Sequence, residues 1–98
     1  MSKEWKNELD LIDLWKKYEE DEITVSQLAG EVGNRLEAIF DNFPDDERMN
    51  LGEIAYMFFE LAEEGDAEDG DFDRVLEYLY DFGDRGKRLW IKTQEWQR

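Results

Sequence analysis

Apolar residues along this chain recur mainly at steps of three and four, the spacing that gathers them on one face of an α-helix. Trp5, Leu9, Ile12 and Trp15, joined by Leu11, Leu14 and Tyr18, mark one such stripe and predict a first helix from about Glu4 to Asp21. The acids Glu19 to Glu22 lie at or beyond its end, because acids at a helix C-terminus oppose the macrodipole. Thr24-Val25-Ser26-Gln27 then reads as a capping box, with Thr24 as N-cap and Gln27 reaching back to it. A second helix follows to about Asn42, with Leu28, Val32, Leu36, Ile39, Phe40 and Phe43 facing inward. Gly30 and Gly33 inside it each cost roughly 1 kcal/mol against alanine, which close packing against another helix explains.

Pro44 breaks the pattern, and Asp45-Asp46-Glu47 is either a first helical turn or a loop. Asn50-Leu51-Gly52-Glu53 repeats the capping-box pattern, so a third helix is expected to start near Leu51 and to end at Gly65. Its run Ile54 to Phe59 is apolar around the whole circumference, as in a central helix covered on most sides. A fourth helix, capped by Asp69 or Asp71 and ended by Gly83, turns Phe72, Val75, Leu76, Leu79 and Phe82 inward. Residues 85–98 form a basic tail, read as a short fifth helix through Leu89, Lys92 and Trp96 because a lone strand would lack a partner. The expected fold is all-α: one domain over residues 1–98, built as an antiparallel four- or five-helix bundle.

Composition narrows the chemistry. With 41% hydrophobic and 14% aromatic residues, the chain has the side chains for a core that an acidic disordered tail lacks. It contains neither cysteine nor histidine, which removes thiolate chemistry, the usual general base and the commonest transition-metal ligand. Neither of its two serines, Ser2 and Ser26, sits in a nucleophile motif. No catalytic constellation or cofactor motif is visible, and a non-enzymatic protein is expected. The first six residues run into charged sequence without an apolar signal region, and no apolar run is long enough to span a membrane. A cytoplasmic protein with no membrane contact is the reading.

Charge changes the picture most. Between Glu37 and Asp84 stand seventeen acids and two bases, Arg48 and Arg74. That stretch alone nets −15, the formal charge of the whole protein. Eight of the acids fall within Glu60 to Asp73: Glu60, Glu63, Glu64, Asp66, Glu68, Asp69, Asp71 and Asp73. Helical spacing adds Glu77 and Asp81 in line with Asp73, about one turn apart. These ten residues are the candidate partner-binding surface. A solubilising face accounts for scattered charge, but less well for so one-sided a run. A calcium loop over Asp66 to Glu77 fails by one residue: starting at Asp66 puts Gly70 at position 5, where an EF-hand needs glycine at 6. No metal site is assigned.

Leu11-Ile12-Asp13-Leu14, followed by Glu22-Ile23-Thr24-Val25-Ser26-Gln27-Leu28, resembles the opening of colicin D-type immunity proteins. The resemblance covers residues 11–28 and carries no inhibitory residue across. It implies a small acidic helical bundle that blocks a tRNA-cleaving toxin domain by occupying its substrate-binding surface with negative charge. The expected function is therefore an inhibitory binding protein that mimics nucleic-acid charge. Its partner is expected to be a basic protein, a nuclease or other nucleic-acid-binding protein, met as a toxin immunity protein or as a phage anti-restriction or anti-CRISPR protein. Direct nucleic-acid binding is not expected. The alternative is a structural or adaptor protein acting through apolar contacts of Trp90, Ile91 and Trp96, including as a homodimer. The basic residues Arg85, Lys87, Arg88 and Lys92 offer a further alternative, in which the tail folds back over the acidic face.

Overall fold

The computed structural model describes residues 7–65, 67–84 and 89–92. Four α-helices dominate them: α1 (Ile12–Glu19), α2 (Val25–Ile39), α3 (Asp45–Glu64) and α4 (Asp69–Asp84). A short strand precedes them, β1 (Asn7–Asp10), and another follows, β2 (Leu89–Lys92). The strands pair in parallel with Asn7 opposite Leu89 and Asp10 opposite Lys92, so every helix lies within one long crossover.

The first predicted helix is therefore shorter than expected, and Asn7–Asp10, expected within it, is strand. Leu9 and Leu11 are both buried, an alternation of two that suits extended chain. An Asp10 carboxylate oxygen accepts the Ile12 amide at 3.1 Å, and α1 begins there. The fifth-helix reading of the tail fails for the same reason. Leu89–Lys92 is a strand because β1 supplies the partner that a fully helical N-terminus would have denied it. Leu89 is buried in the core. Trp5 and Trp96 lie outside the described residues, as do Arg85, Lys87 and Arg88.

The turn between α1 and α2 closes by hydrogen bonds from the Glu22 amide to the Lys17 carbonyl at 2.8 Å and from the Asp21 amide to the Tyr18 carbonyl at 3.1 Å. This is a Schellman-type closure with Asp21 in the left-handed region, at φ 62°, where glycine is usual. Both bonds of the predicted capping box are present: the Gln27 amide donates to Thr24 Oγ1 and Gln27 Oε1 accepts the Thr24 amide. α2 packs mainly on α3. A Cβ on Gly33 would stand 2.9 Å from the Phe59 ring, and one on Gly30 would stand 3.3 Å from Ala62 Cβ. These glycines let the two helices approach.

α3 starts six residues before the predicted Leu51, directly after Pro44. The acids Asp45, Asp46 and Glu47 favour a first turn, where the dipole is positive, so Asn50 lies inside the helix and caps nothing. Gly65 ends α3 in the left-handed region, at φ 75°. The central run is less enclosed than expected: Ile54, Ala55 and Phe58 are buried, whereas Tyr56 is 63% exposed. α4 buries all five predicted residues and continues through Gly83 to Asp84. It runs back along α3, since Phe72 near its start meets Phe58 while Phe82 near its end shares a groove with Ile54.

Candidate functional site

Phe72, in the first turn of α4, fixes the acidic corner from inside. Its ring lies 5.5 Å from the rings of both Trp15 on α1 and Phe58 on α3. An aromatic contact running from α1 through α4 to α3 thus sets the height at which the neighbouring acids emerge. Glu68 is the cap residue: its carbonyl accepts the Asp71 and Phe72 amides, while the Asp71 carboxylate accepts the Glu68 amide at 3.3 Å. Asp71 therefore serves the helix start, reaching back from its third position rather than capping it, and is half-buried. Of the two residues predicted as cap, neither occupies that position.

Asp69 takes another local role. The Tyr18 hydroxyl, on α1, donates to Asp69 Oδ1. Burial, the bond to Asp69, and the charges of Asp69, Asp73 and Asp21 together push the Tyr18 phenol up to about 12. Sequence reasoning missed Tyr18 as the partner of Asp69, because the contact that joins them spans fifty-one positions.

The remaining predicted acids fall into separate groups. Asp73, Glu77 and Asp81 are exposed on one face of α4 at steps of four. Helical rise separates neighbours by about 6 Å, so one row carries roughly half the linear charge of a DNA strand, with its phosphate every 3.4 Å or so. Glu60, Glu63 and Glu64 are exposed on the last turns of α3. Asp66 lies outside the described residues. The ten acids are thus not one uniform patch: Asp71 and Asp69 hold structure, and six described acids face solvent on two helices.

Several of these acids stand where they cost stability. α3 and α4 have no basic residue in their last turns, yet Glu63 and Glu64 end one and Asp81 approaches the end of the other. Each such acid opposes the helix dipole by about 0.3–1 kcal/mol. Two bases, Arg35 and Arg48, are engaged with other acids. Arg35 makes two 2.9 Å bonds to the Asp13 carboxylate and also donates to the Asp10 carbonyl, tying the β1–α1 elbow to α2. The guanidinium holds the Asp13 carboxyl below its ordinary range. Arg48 pairs with Asp45 and with Asp41 and lies over the Phe40 ring.

Beside the exposed row, α3 and α4 leave a groove of about 300 Å³, with Ile54, Met57 and Phe82 in its walls and Glu53, Tyr78 and Asp81 at its margins. Among the described residues no group of three or more acids is arranged to hold a metal ion. Among them, too, no helix is long and apolar enough to cross a membrane. No family model matches the chain, and comparison with curated proteins and with solved structures finds no match either.

Proposed function

We propose that this chain is a non-enzymatic inhibitory binding protein whose acidic surface mimics nucleic-acid charge and blocks the basic site of a nuclease or other nucleic-acid-binding protein. The observation that carries the reading is the exposed row Asp73, Glu77 and Asp81, presented on a helix whose start is fixed by Phe72, Glu68 and Asp71. Rigid display matters, because a preordered row binds without the entropy cost that a flexible acidic tail meets. The placement of Glu63, Glu64 and Asp21 adds support: folding alone favours other residues there.

In this reading the helices form an antiparallel bundle in a cytoplasmic protein that acts either for toxin immunity or against a host defence enzyme. Electrostatic attraction raises association toward about 10⁸–10⁹ M⁻¹s⁻¹ at low salt and falls steeply as salt screens it. The test is capture of basic proteins from the native host at low salt, with release by a short DNA duplex and a nuclease assay on what is released. Supporting results are displacement by the duplex and stoichiometric inhibition. Retention unchanged by duplex and by salt refutes the reading.

A second reading, an adaptor or homodimer held by apolar contacts, draws on Met49, Tyr56 and Tyr78, which are 71%, 63% and 50% exposed. The expected contact residues Trp90 and Ile91 lie in β2, and their side chains, like Trp96, fall outside the described residues. Sedimentation across a concentration series separates the two readings, because only the homodimer changes mass with concentration.

A further inference from the structure

Of the three large apolar side chains that stand exposed among the described residues, two lie on one line of α3. Met49 is 71% and Tyr56 63% exposed, and seven positions set them two turns apart on the same side of the helix. Gly52 and Phe59, both half-buried, complete a line at steps of three, four and three. That is the spacing at which one helix lays an apolar seam against another. Gly52 gives its side to Phe40: a Cβ there would stand 3.2 Å from that half-buried ring, which widens the strip. One flank of the strip is closed by α2, where the Phe59 ring lies against Gly33. The other flank carries Asp46, Glu53 and Glu60, all exposed and at steps of seven, about 10 Å apart. Among the described residues no base pairs with these three, the ion pairs of Arg35 and Arg48 going to Asp13, Asp41 and Asp45. A lone exposed apolar residue needs no explanation, but a continuous seam with a polar border marks a contact face.

We infer that the outer face of α3 docks a basic amphipathic helix of a partner protein. The apolar edge of that helix lies along Met49, Tyr56 and Phe59, and its lysines or arginines lie along Asp46, Glu53 and Glu60. The charged border selects this occupant. An uncharged helix takes three carboxylates out of water and gives them no counter-charge. A second copy of this chain brings another −15 and its own acidic border, so like charges meet. A basic amphipathic helix satisfies both the seam and the border, the mode in which a helix is read by anchors at steps of three and four. From Asp46 to Glu60 the face is about 21 Å long, enough for roughly four turns of the docked helix. This face belongs to α3, so the inference goes beyond the α4 row and does not rest on it.

The full chain, carrying ¹³C at the methionine methyls, is titrated with a synthetic helical peptide of about 18 residues. The peptide has leucines at steps of three and four and lysines elsewhere. A second titration uses an isomer of the same composition whose leucines are spread around the helix. Saturable shifts of the Met49 methyl are expected, with binding about tenfold weaker for the isomer because its apolar anchors no longer align. Tyr56→Ala and Glu53→Gln/Glu60→Gln, all at exposed positions, should each weaken peptide binding at least threefold while the helical circular dichroism stays unchanged. Equal affinity for the two peptides overturns the inference, since charge alone then explains the binding. An affinity untouched by Tyr56→Ala overturns it as well, and more so if Asp73→Lys/Glu77→Lys abolishes binding, which places the peptide on α4. Sedimentation of the chain alone adds a further check. A mass that doubles with concentration in wild type and not in Tyr56→Ala gives the face to a second copy and overturns the basic partner. None of these readouts uses DNA, so the docking face and the nucleic-acid mimic fail independently.

Discussion

The Tyr18 hydroxyl on α1 donates to the Asp69 carboxylate at the first turn of α4, tying the two helices together. Tyr18 also packs on Trp15, with ring centroids 5.7 Å apart, so removing the hydroxyl leaves the ring contact in place. Tyr18→Phe should cost about 1 kcal/mol at neutral pH, the usual worth of one hydrogen bond, read from urea unfolding. The phenol is raised from 10.0 to about 12 in the folded chain. A raised value means that folding favours the protonated form. The stabilisation is therefore complete below about pH 10 and is lost as pH rises toward about 12. By ultraviolet absorbance Tyr18 should ionise only as pH approaches about 12, and that late step should vanish in Tyr18→Phe.

Two glycines should respond to alanine in opposite senses. At Gly33 the new methyl meets the half-buried Phe59 ring at 2.9 Å, whereas at Gly70 it meets nothing within 4 Å. Alanine's helix propensity favours both changes by about 1 kcal/mol, but overpacking costs about 1–3 kcal/mol and should win at Gly33. Thermal melts should show Gly33→Ala less stable and Gly70→Ala more stable than wild type. Phe59→Leu should recover part of the Gly33→Ala loss.

Leu89 tests whether the tail belongs to the core. It is buried and stands opposite Asn7 in the strand pair. Leu89→Ala should lower stability by about 2–4 kcal/mol, as for other buried leucines. Truncation after Gly83 should remove cooperative unfolding altogether, because β1 then loses its partner. A truncated chain with an unchanged melting curve contradicts the strand pair.

Much of the helical core was legible in the sequence, while the ends of the chain were not. The α4 face of Phe72, Val75, Leu76, Leu79 and Phe82 follows from periodicity alone, and the Thr24–Gln27 box from local hydrogen-bond chemistry. Segments as short as Asn7–Asp10 carry too few residues to separate a period of two from one of 3.6. β2 depends on β1, some eighty positions away, and no local signal records such a pairing. Of the candidate site, the row Asp73, Glu77 and Asp81 follows from spacing. The bond from Tyr18 to Asp69 arises only when α1 meets the start of α4, whereas the Glu68–Asp71 bond spans three positions and is local.

Acids retained against stability give a further expectation. Asp21 holds a left-handed conformation that glycine adopts without strain, and Glu63 and Glu64 end a helix lacking basic residues. Asp21→Gly should stabilise the fold by about 1 kcal/mol, through relief of backbone strain. Glu63→Lys with Glu64→Lys should add about 1 kcal/mol, by reversing two unfavourable dipole contacts. Differential scanning calorimetry should place both variants above wild type in Tm. If function explains these acids, the lysine pair should also weaken partner capture.

The central claim is that exposed carboxylates on α4 compete with nucleic acid for a basic site. It is tested most directly by Asp73→Lys/Glu77→Lys/Asp81→Lys, which reverses the row and leaves Asp69, Asp71 and Phe72 in place. The measurement is capture from host lysate on immobilised wild-type and variant chains, followed by release with duplex DNA and identification of what is released. The account predicts that wild type retains a nuclease or other nucleic-acid-binding protein, releases it to the duplex, and that the triple variant, still helical, retains none of it. Equal retention by the triple variant, or retention by wild type that the duplex does not disturb, would contradict it.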